Sequence, residues 1–175
     1  PAQPLSPYGA DKLACELHAK AAQEVFDVPS IGVRFFNIYG PRQDPASPYA
    51  GVISIFAERI AKAQPVTLHG DGEQSRDFVF VADAVTHLQA AMEKLHDGSV
   101  QCEITNVCTS TPTTLNRLIA TLDEICDTTT EKQFAPARTG DIRESLGNPD
   151  HAVTLLGIHA ETSLREGLTA LLESI

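Results

Sequence analysis

Apolar positions recur with a helical period over residues 7–26. Leu13, Leu17, Ala21 and Val25 form one stripe, and Tyr8, Cys15, Ala19, Ala22 and Phe26 form a second beside it. So wide an apolar surface predicts a helix covered on two sides. One side would rest on a sheet and the other on a partner subunit, or the whole helix would lie inside a core. Ser6 is placed to cap it and Pro7 to occupy its first turn, and Val28-Pro29 ends it. The pattern then changes to a short branched and aromatic run over 31–36, which predicts a strand. A helix followed closely by such a strand suggests the tail of a βαβ unit in a parallel sheet. Pro41, Pro45 and Pro48 mark a loop.

Short helices and strands alternate from there to the end. A helix is expected over 51–63, with Val52, Ile55, Phe56, Ile60 and Ala63 on one face. A strand follows at 66–69, a turn at Gly70-Asp71-Gly72, and a strand at 78–81. Asp83 or Ala84 opens a helix to about Leu95, with Val85, Leu88, Ala91, Met92 and Leu95 inward. Further elements are a strand over 102–107, a helix from Thr113 to about Cys126, an extended segment over 132–135 and a polar loop over 138–143. Two helices, near 151–156 and 162–174, close the chain. The fold class is therefore α/β or α+β.

Composition narrows the partners. The chain has 175 residues, 42% hydrophobic and 21% charged, enough for a substantial core. A formal net charge of −10 argues against nucleic acid or an anionic membrane across the whole surface, while leaving room for a local cationic pocket. No run approaches a membrane span, and Pro-Ala-Gln-Pro-Leu at the start has no secretory-signal layout. Cys15, Cys102, Cys108 and Cys126 lack metal-ligand spacing, so reduced cytoplasmic thiols are expected and no metal site. The six histidines are scattered.

The candidate chemistry starts at Ser6-Pro7-Tyr8-Gly9-Ala10-Asp11-Lys12. Tyr8 and Lys12 lie four residues apart, one above the other on a helix face. A free tyrosine titrates near ~10, so its phenolate costs about 4 kcal/mol at neutral pH, and a neighbouring ammonium lowers that cost. Alone, the same spacing more often describes a packed tyrosine beside a solvated lysine. Asn37 follows the strand over 31–36, at the carboxyl end where ligands gather in open α/β sheets. There it is either a turn former or a ligand contact.

Four motifs then occur in one order: Ser-Pro-Tyr-Gly-Ala-Asp-Lys at 6–12, Arg-Phe-Phe-Asn-Ile-Tyr-Gly-Pro-Arg at 34–42, Gly-Asp-Gly-Glu-Gln-Ser-Arg-Asp-Phe-Val at 70–79, and Arg-Thr-Gly-Asp-Ile-Arg at 138–143. Together they resemble the C-terminal half of an extended short-chain dehydrogenase of the NAD-dependent nucleotide-sugar epimerase/dehydratase family, nearest to its UDP-hexose 4-epimerases. The resemblance covers essentially the whole chain. It implies the last parallel strands of a Rossmann-type domain, carrying the Tyr–Lys helix, over 1–50. It also implies a mostly substrate-binding domain over 51–175, with segments near 77–107 returning to the Rossmann sheet.

The resemblance further implies roles. Tyr8 would be the general acid/base and Lys12 would tune it while holding the nicotinamide ribose. Phe35 and the Asn37-Ile38 backbone would flank nicotinamide and sugar. Asn37, Arg76 and Arg138 would bind the substrate diphosphate, with Thr67 to His69 against the uracil and Asp141 accepting from a ribose hydroxyl. Ser145 would border the sugar's C2 substituent, its small side chain leaving room for an N-acetyl group. NAD is the implied cofactor, a UDP-sugar the substrate, and a homodimer through the Tyr8–Phe26 helix the implied assembly. The family's glycine-rich loop, cofactor-specificity acid and Ser/Thr partner of the Tyr–Lys pair lie upstream of its tyrosine. Only seven residues precede Tyr8 here. The expectation is thus a fragment of a longer enzyme, weak toward NAD and inactive alone, with an exposed sheet edge prone to self-association or to rearrangement of residues 1–40. A 4,6-dehydratase or decarboxylase on the same scaffold, and a non-catalytic module that binds nucleotide sugar or dimerises, are the alternatives.

Overall fold

The computed structural model describes residues 3–4, 6–47, 50–138 and 140–175; Pro48 and Thr139, expected in loops, lie outside them. In chain order the elements are α1 (Pro7–Phe26), β1 (Ser30–Phe35), β2 (Asn37–Tyr39), α2 (Val52–Ala61), β3 (Val66–His69), β4 (Ser75–Phe80), α3 (Val81–His96), β5 (Cys102–Val107), β6 (Pro112–Thr114), α4 (Leu115–Cys126), β7 (Lys132–Ala135), α5 (Asp150–Leu156) and α6 (Leu164–Leu172). The chain is α/β with parallel strand pairs, as expected.

Helix α1 begins where its sequence says it should. The Ser6 hydroxyl accepts from Gly9 N–H at 3.1 Å, with Pro7 in the first turn. Strand β1 pairs in parallel with β5, from Ser30–Cys102 to Phe35–Val107. After Phe36 the chain changes partner, and β2 runs parallel to β4 instead, Asn37 opposite Phe78. Strand β4 also pairs with β6, antiparallel, and β3 pairs in parallel with β7.

Two apolar clusters hold these layers. The larger joins the inner faces of α2, α4 and α6 (Ile53, Phe56, Leu118, Leu122, Leu168) to Val66 and Leu68 of β3. The smaller gathers Val79, Ala84 and Val107 with Val33, Phe36 and Ile38 around the point where the chain changes partner. Beside it, burial pushes the Cys108 thiol up to about 11, with the Asp77 carboxylate adding to the shift. Gly147 lies against that thiol: a Cβ there would meet Cys108 Sγ at 2.5 Å.

Several local expectations need correction. Helix α3 starts at Val81, and its buried residues are Ala84, His87 and Ala91, while Val85, Leu88 and Met92 stay exposed. Small side chains let this helix approach the sheet closely, so its close-packed face is not its most hydrophobic one. His87 is accommodated because its Nδ1–H donates to the Asp83 carbonyl at 2.7 Å. Helix α2 is likewise rotated: Ile53, Phe56, Ala57 and Ile60 are buried, Val52 and Ile55 are half-buried, and Ala63 lies beyond the helix at φ 51°. Helix α1 has no buried residue among those described, so it is not an interior helix in this chain. It rests on β1 and β5 and leaves Tyr8, Leu17, Val25 and Phe26 exposed. Thr113 belongs to strand β6, and Thr114 caps α4.

Asp77, in the middle of β4, has no exposed surface. Its carboxylate accepts from Thr109 N–H (2.8 Å), Thr109 Oγ1 (2.7 Å), Ser110 N–H (3.0 Å) and Gly147 N–H (3.2 Å). It thereby fastens the β5–β6 connection and the approach to α5 onto one strand. Asp77→Ala strands those donors, and the expected loss is about 2–4 kcal/mol of unfolding free energy in urea titration. A change below ~1 kcal/mol would show that the four bonds do not hold the fold.

Candidate functional site

Strand β3 alternates strictly. Val66 and Leu68 are fully buried in the core, which turns Thr67 and His69 to the other face. They open onto a cavity of about 340 Å³, the size of a small-ligand pocket. Asn37, from the start of β2, enters the same cavity. Helix α2 contributes Val52, Ile55, Phe56 and Arg59. Gln74 and Arg76 come from β4 and the residue before it, and Arg138 and Asp141 from the loop after β7. Six of the expected substrate residues (Asn37, Thr67, His69, Arg76, Arg138 and Asp141) therefore share one cavity.

Arg76 is held from three sides. Its Nη2 donates to Asp141 Oδ1 at 2.5 Å, and Nη1 donates to the carbonyls of Ile142 (2.6 Å) and Ser75 (2.8 Å). These bonds lash the loop after β7 to the strand. The backbone continues the seam, with Ser75 N–H donating to the Arg143 carbonyl and Ser145 N–H to the Ser75 carbonyl. The turn between β3 and β4 is clamped as well. Arg143 pairs with both oxygens of Asp71 at 2.7 and 3.0 Å, which pulls the Asp71 carboxyl down to about 2. Gly72 sits at φ +78°, where a Cβ would meet the Asn116 amide at 2.8 Å, so a side chain is barred twice over.

The cavity is cationic in an acidic protein. Arg59, Arg76 and Arg138 line it against the single carboxylate of Asp141. Arg138 has no ion-pair partner among the described residues. Arg59 was not expected; its Nη1 donates to the Pro65 carbonyl at 3.0 Å. It continues the helical row of Val52 and Ile55, and that periodicity was the available signal.

Tyr8, Lys12 and Phe35 lie together in a second, neighbouring cleft of about 470 Å³ between α1 and β1. Lys12 Nζ is 5.4 Å from the centre of the Tyr8 ring, and Tyr8 is 71% exposed. The wall of this cleft is set by Glu16, which takes a bidentate pair from Arg34 at 2.6 and 2.7 Å and so ties α1 to β1. Phe35 lines this cleft and Asn37 the first, and the two residues flank the point where the chain changes strand partner. Two expected residues line neither. Ile38 packs against the Val79 cluster, and Ser145 sits half-buried beside β4.

Residues 1–108 match the NAD dependent epimerase/dehydratase family. The chain belongs to that family. A UDP-glucose 4-epimerase of Mycolicibacterium smegmatis is 32% identical over 173 residues, which are 99% of this chain and 54% of that relative. Among solved structures, the UDP-glucose 4-epimerase of Thermotoga maritima with UDP-glucose superposes at a TM-score of 0.91 with 37% identity, over 98% of this chain and 54% of its own. The UDP-N-acetylglucosamine 4-epimerase of Methanobrevibacter ruminantium, in complex with UDP-N-acetylmuramic acid, does so at 0.90 with 30% identity, again over 98% and 54%. The chain thus spans about half the length of the family members it matches.

The Arg34 hydrogen bonds hold the Glu16 carboxyl below its ordinary 4.5. The folded value lies below the unfolded one. The pair's contribution is therefore present above the ordinary glutamate range and is lost as pH falls through the folded value. With Arg34 half exposed it stays under about 1 kcal/mol. In a carbon-detected NMR titration, Arg34→Gln is expected to return the Glu16 midpoint to the ordinary range; equal midpoints in the two proteins would refute the pairing.

Proposed function

We propose that this chain is the substrate-binding half, with the Tyr–Lys helix, of an NAD-dependent 4-epimerase acting on a UDP-hexose or UDP-N-acetylhexosamine. The observation that carries the reading is the convergence of Asn37, Arg76 and Arg138 in one cavity, in a chain whose net charge is −10. Guanidinium groups suit a diphosphate because each can donate two parallel charge-assisted bonds. Asp141 orients Arg76 for that task and accepts from a ribose hydroxyl, while Thr67 and His69 face the base.

The second cleft supplies the acid–base end. Tyr8 takes the proton from the sugar's C4 hydroxyl and later returns it, and Lys12 holds positive charge one helical turn away. A phenol, an ammonium and the Phe35 ring on one wall fit the nicotinamide end of NAD, with the Ile38 backbone beside it. Bound there, NAD supplies the hydride acceptor for transient oxidation at C4. Ser145 borders the C2 substituent, and its size admits an acetamido group.

The division into 1–50 and 51–175, with 77–107 rejoining the first sheet, belongs to the same reading. Its support is the pairing of β5 with β1 across α2, β3, β4 and α3. The exposed α1 face is assigned to a second copy of the protein. The apolar row on α3 is assigned to the remainder of a protein of family length. Cysteines free among the described residues, and no described helix long and apolar enough to cross a membrane, support work in the cytoplasm.

In the full-length enzyme, Tyr8→Phe is expected to lower kcat about 10²–10⁴-fold with UDP-sugar affinity unchanged. Loss of affinity with kcat retained would point to a binding module. Calorimetry on the 175-residue chain alone is expected to show UDP binding, weakened at least tenfold by Arg138→Met, and no micromolar NAD binding. Micromolar NAD affinity would overturn the assignment of its pyrophosphate cradle to another part of the enzyme. Turnover of UDP-N-acetylglucosamine comparable to UDP-glucose by the full-length enzyme is expected from Ser145, and none would reject that role.

A further inference from the structure

The connection between β7 and α5, residues 136–149, brings Arg138 and Asp141 to the first cavity, yet its described residues form no helix or strand. What holds it is a row of side-chain and backbone bonds. Asp141 N–H donates to the Arg138 carbonyl at 3.2 Å, so the two residues share one turn. The Asp141 carboxylate and the Ile142 carbonyl accept from Arg76. Arg143 then reaches the other way, and its guanidinium meets both oxygens of Asp71 at 2.7 and 3.0 Å. Asp71 is itself fixed. Its Oδ1 also accepts from Glu73 N–H at 2.9 Å, and its carbonyl accepts from the Asn116 amide at 3.0 Å. Asn116 follows Leu115, a member of the larger core, at the start of α4.

The two ion pairs on this row differ in one respect. Arg76–Asp141 lines the cavity, where an anionic ligand competes with Asp141 for the guanidinium. Arg143 and Asp71 do not line it, so a bound anion leaves their pair uncontested. Both side chains are more than half exposed, and bidentate geometry is the case in which an exposed pair still holds structure. The Arg143 hydrogen bonds hold the Asp71 carboxyl at about 2, so both partners are charged at neutral pH. We propose that Asp71 and Arg143 are positioning residues for anion binding, whose pair keeps the Arg138–Asp141 turn at the cavity while a ligand draws on Arg76. A turn already ordered loses less conformational entropy when the ligand arrives. The consequence reverses simple charge logic: a carboxylate in the turn after His69 favours the binding of an anion. The inference rests on the reading of this cavity as a diphosphate site.

The test is calorimetry with inorganic pyrophosphate and UDP on the 175-residue chain, on Asp71→Asn, on Arg143→Gln and on the double variant. Asparagine keeps an oxygen that can accept from Glu73 N–H, so the turn is retained while the charge is removed. Each single variant is expected to bind both ligands roughly three- to tenfold more weakly, and the double variant no more weakly than the weaker single one, because all three break the same pair. Thermal melts are expected to stay close to that of the unmodified chain. Direct electrostatics predicts opposite signs, with Arg143→Gln weaker and Asp71→Asn tighter. That pattern, or unchanged affinity in Asp71→Asn, would overturn the positioning role alone. Losses that multiply in the double variant, or a single variant that no longer melts as a folded protein, would overturn it too, since the residues would then act separately or as scaffold. An unmodified chain that binds neither ligand would sink the diphosphate reading, and the positioning role with it.

Discussion

A carboxylate with no exposure, in the centre of a strand, is the constraint around which this molecule is assembled. Desolvating Asp77 is tolerable only because donors converge on it from the β5–β6 connection and from Gly147. Those donors lie 32 to 70 residues away in sequence, so satisfying one charge decides where two distant connections run. Strand β4 then becomes a shared seam: β2 on one edge, β6 on the other, and the loop carrying Asp141 to Ser145 laid along its start. Arg76, one residue before Asp77, points to the opposite side of the strand by simple alternation. The buried acid and the cavity cation are thus two faces of the same short strand.

Periodicity and turn chemistry made much of the architecture legible. The limits of α1, the β3 and β5 strands, and the Gly70–Gly72 turn follow from capping, branched runs and glycine freedom. The four motifs in order pointed to the residues of both clefts. What escaped was of a different kind. The phase of α3 was misjudged because small residues, which permit close approach, outrank large apolar ones at a helix–sheet contact. Strand β6 hides behind Pro112, which pairs at its edge with Asp77. Arg59 stood in the helical row of Val52 and Ile55, a signal present but unread, whereas the Glu16–Arg34 pair joins residues 18 apart that local pattern does not connect. Ile38 and Ser145 line neither cleft, so nothing in the geometry singles them out as its walls.

The charge distribution sets the cavity apart from the rest of an acidic chain. Acidic residues outnumber basic ones, 23 to 13. Among the described residues, five of the ten lysines and arginines outside the cavity are held in ion pairs, Arg143–Asp71 and Lys62–Glu58 among them. Low-dielectric walls from α2 and Leu115 strengthen each interaction inside the cavity.

The two clefts differ in how complete they are, and that difference has a physical basis. The cationic cavity is lined by α2, β3, β4 and the loop after β7, which a buried core and a clamped turn anchor. The Tyr8 cleft lies between α1 and the β1–β5 pair. Its tyrosine is largely exposed, and its helix exposes an apolar face that no described residue covers. Acid–base chemistry at a phenol gains from exclusion of water and from fixed neighbouring charge. The lining of the cationic cavity depends on β4 and its seam, and that of the Tyr8 cleft on the α1–β1 contact that Glu16 and Arg34 fasten.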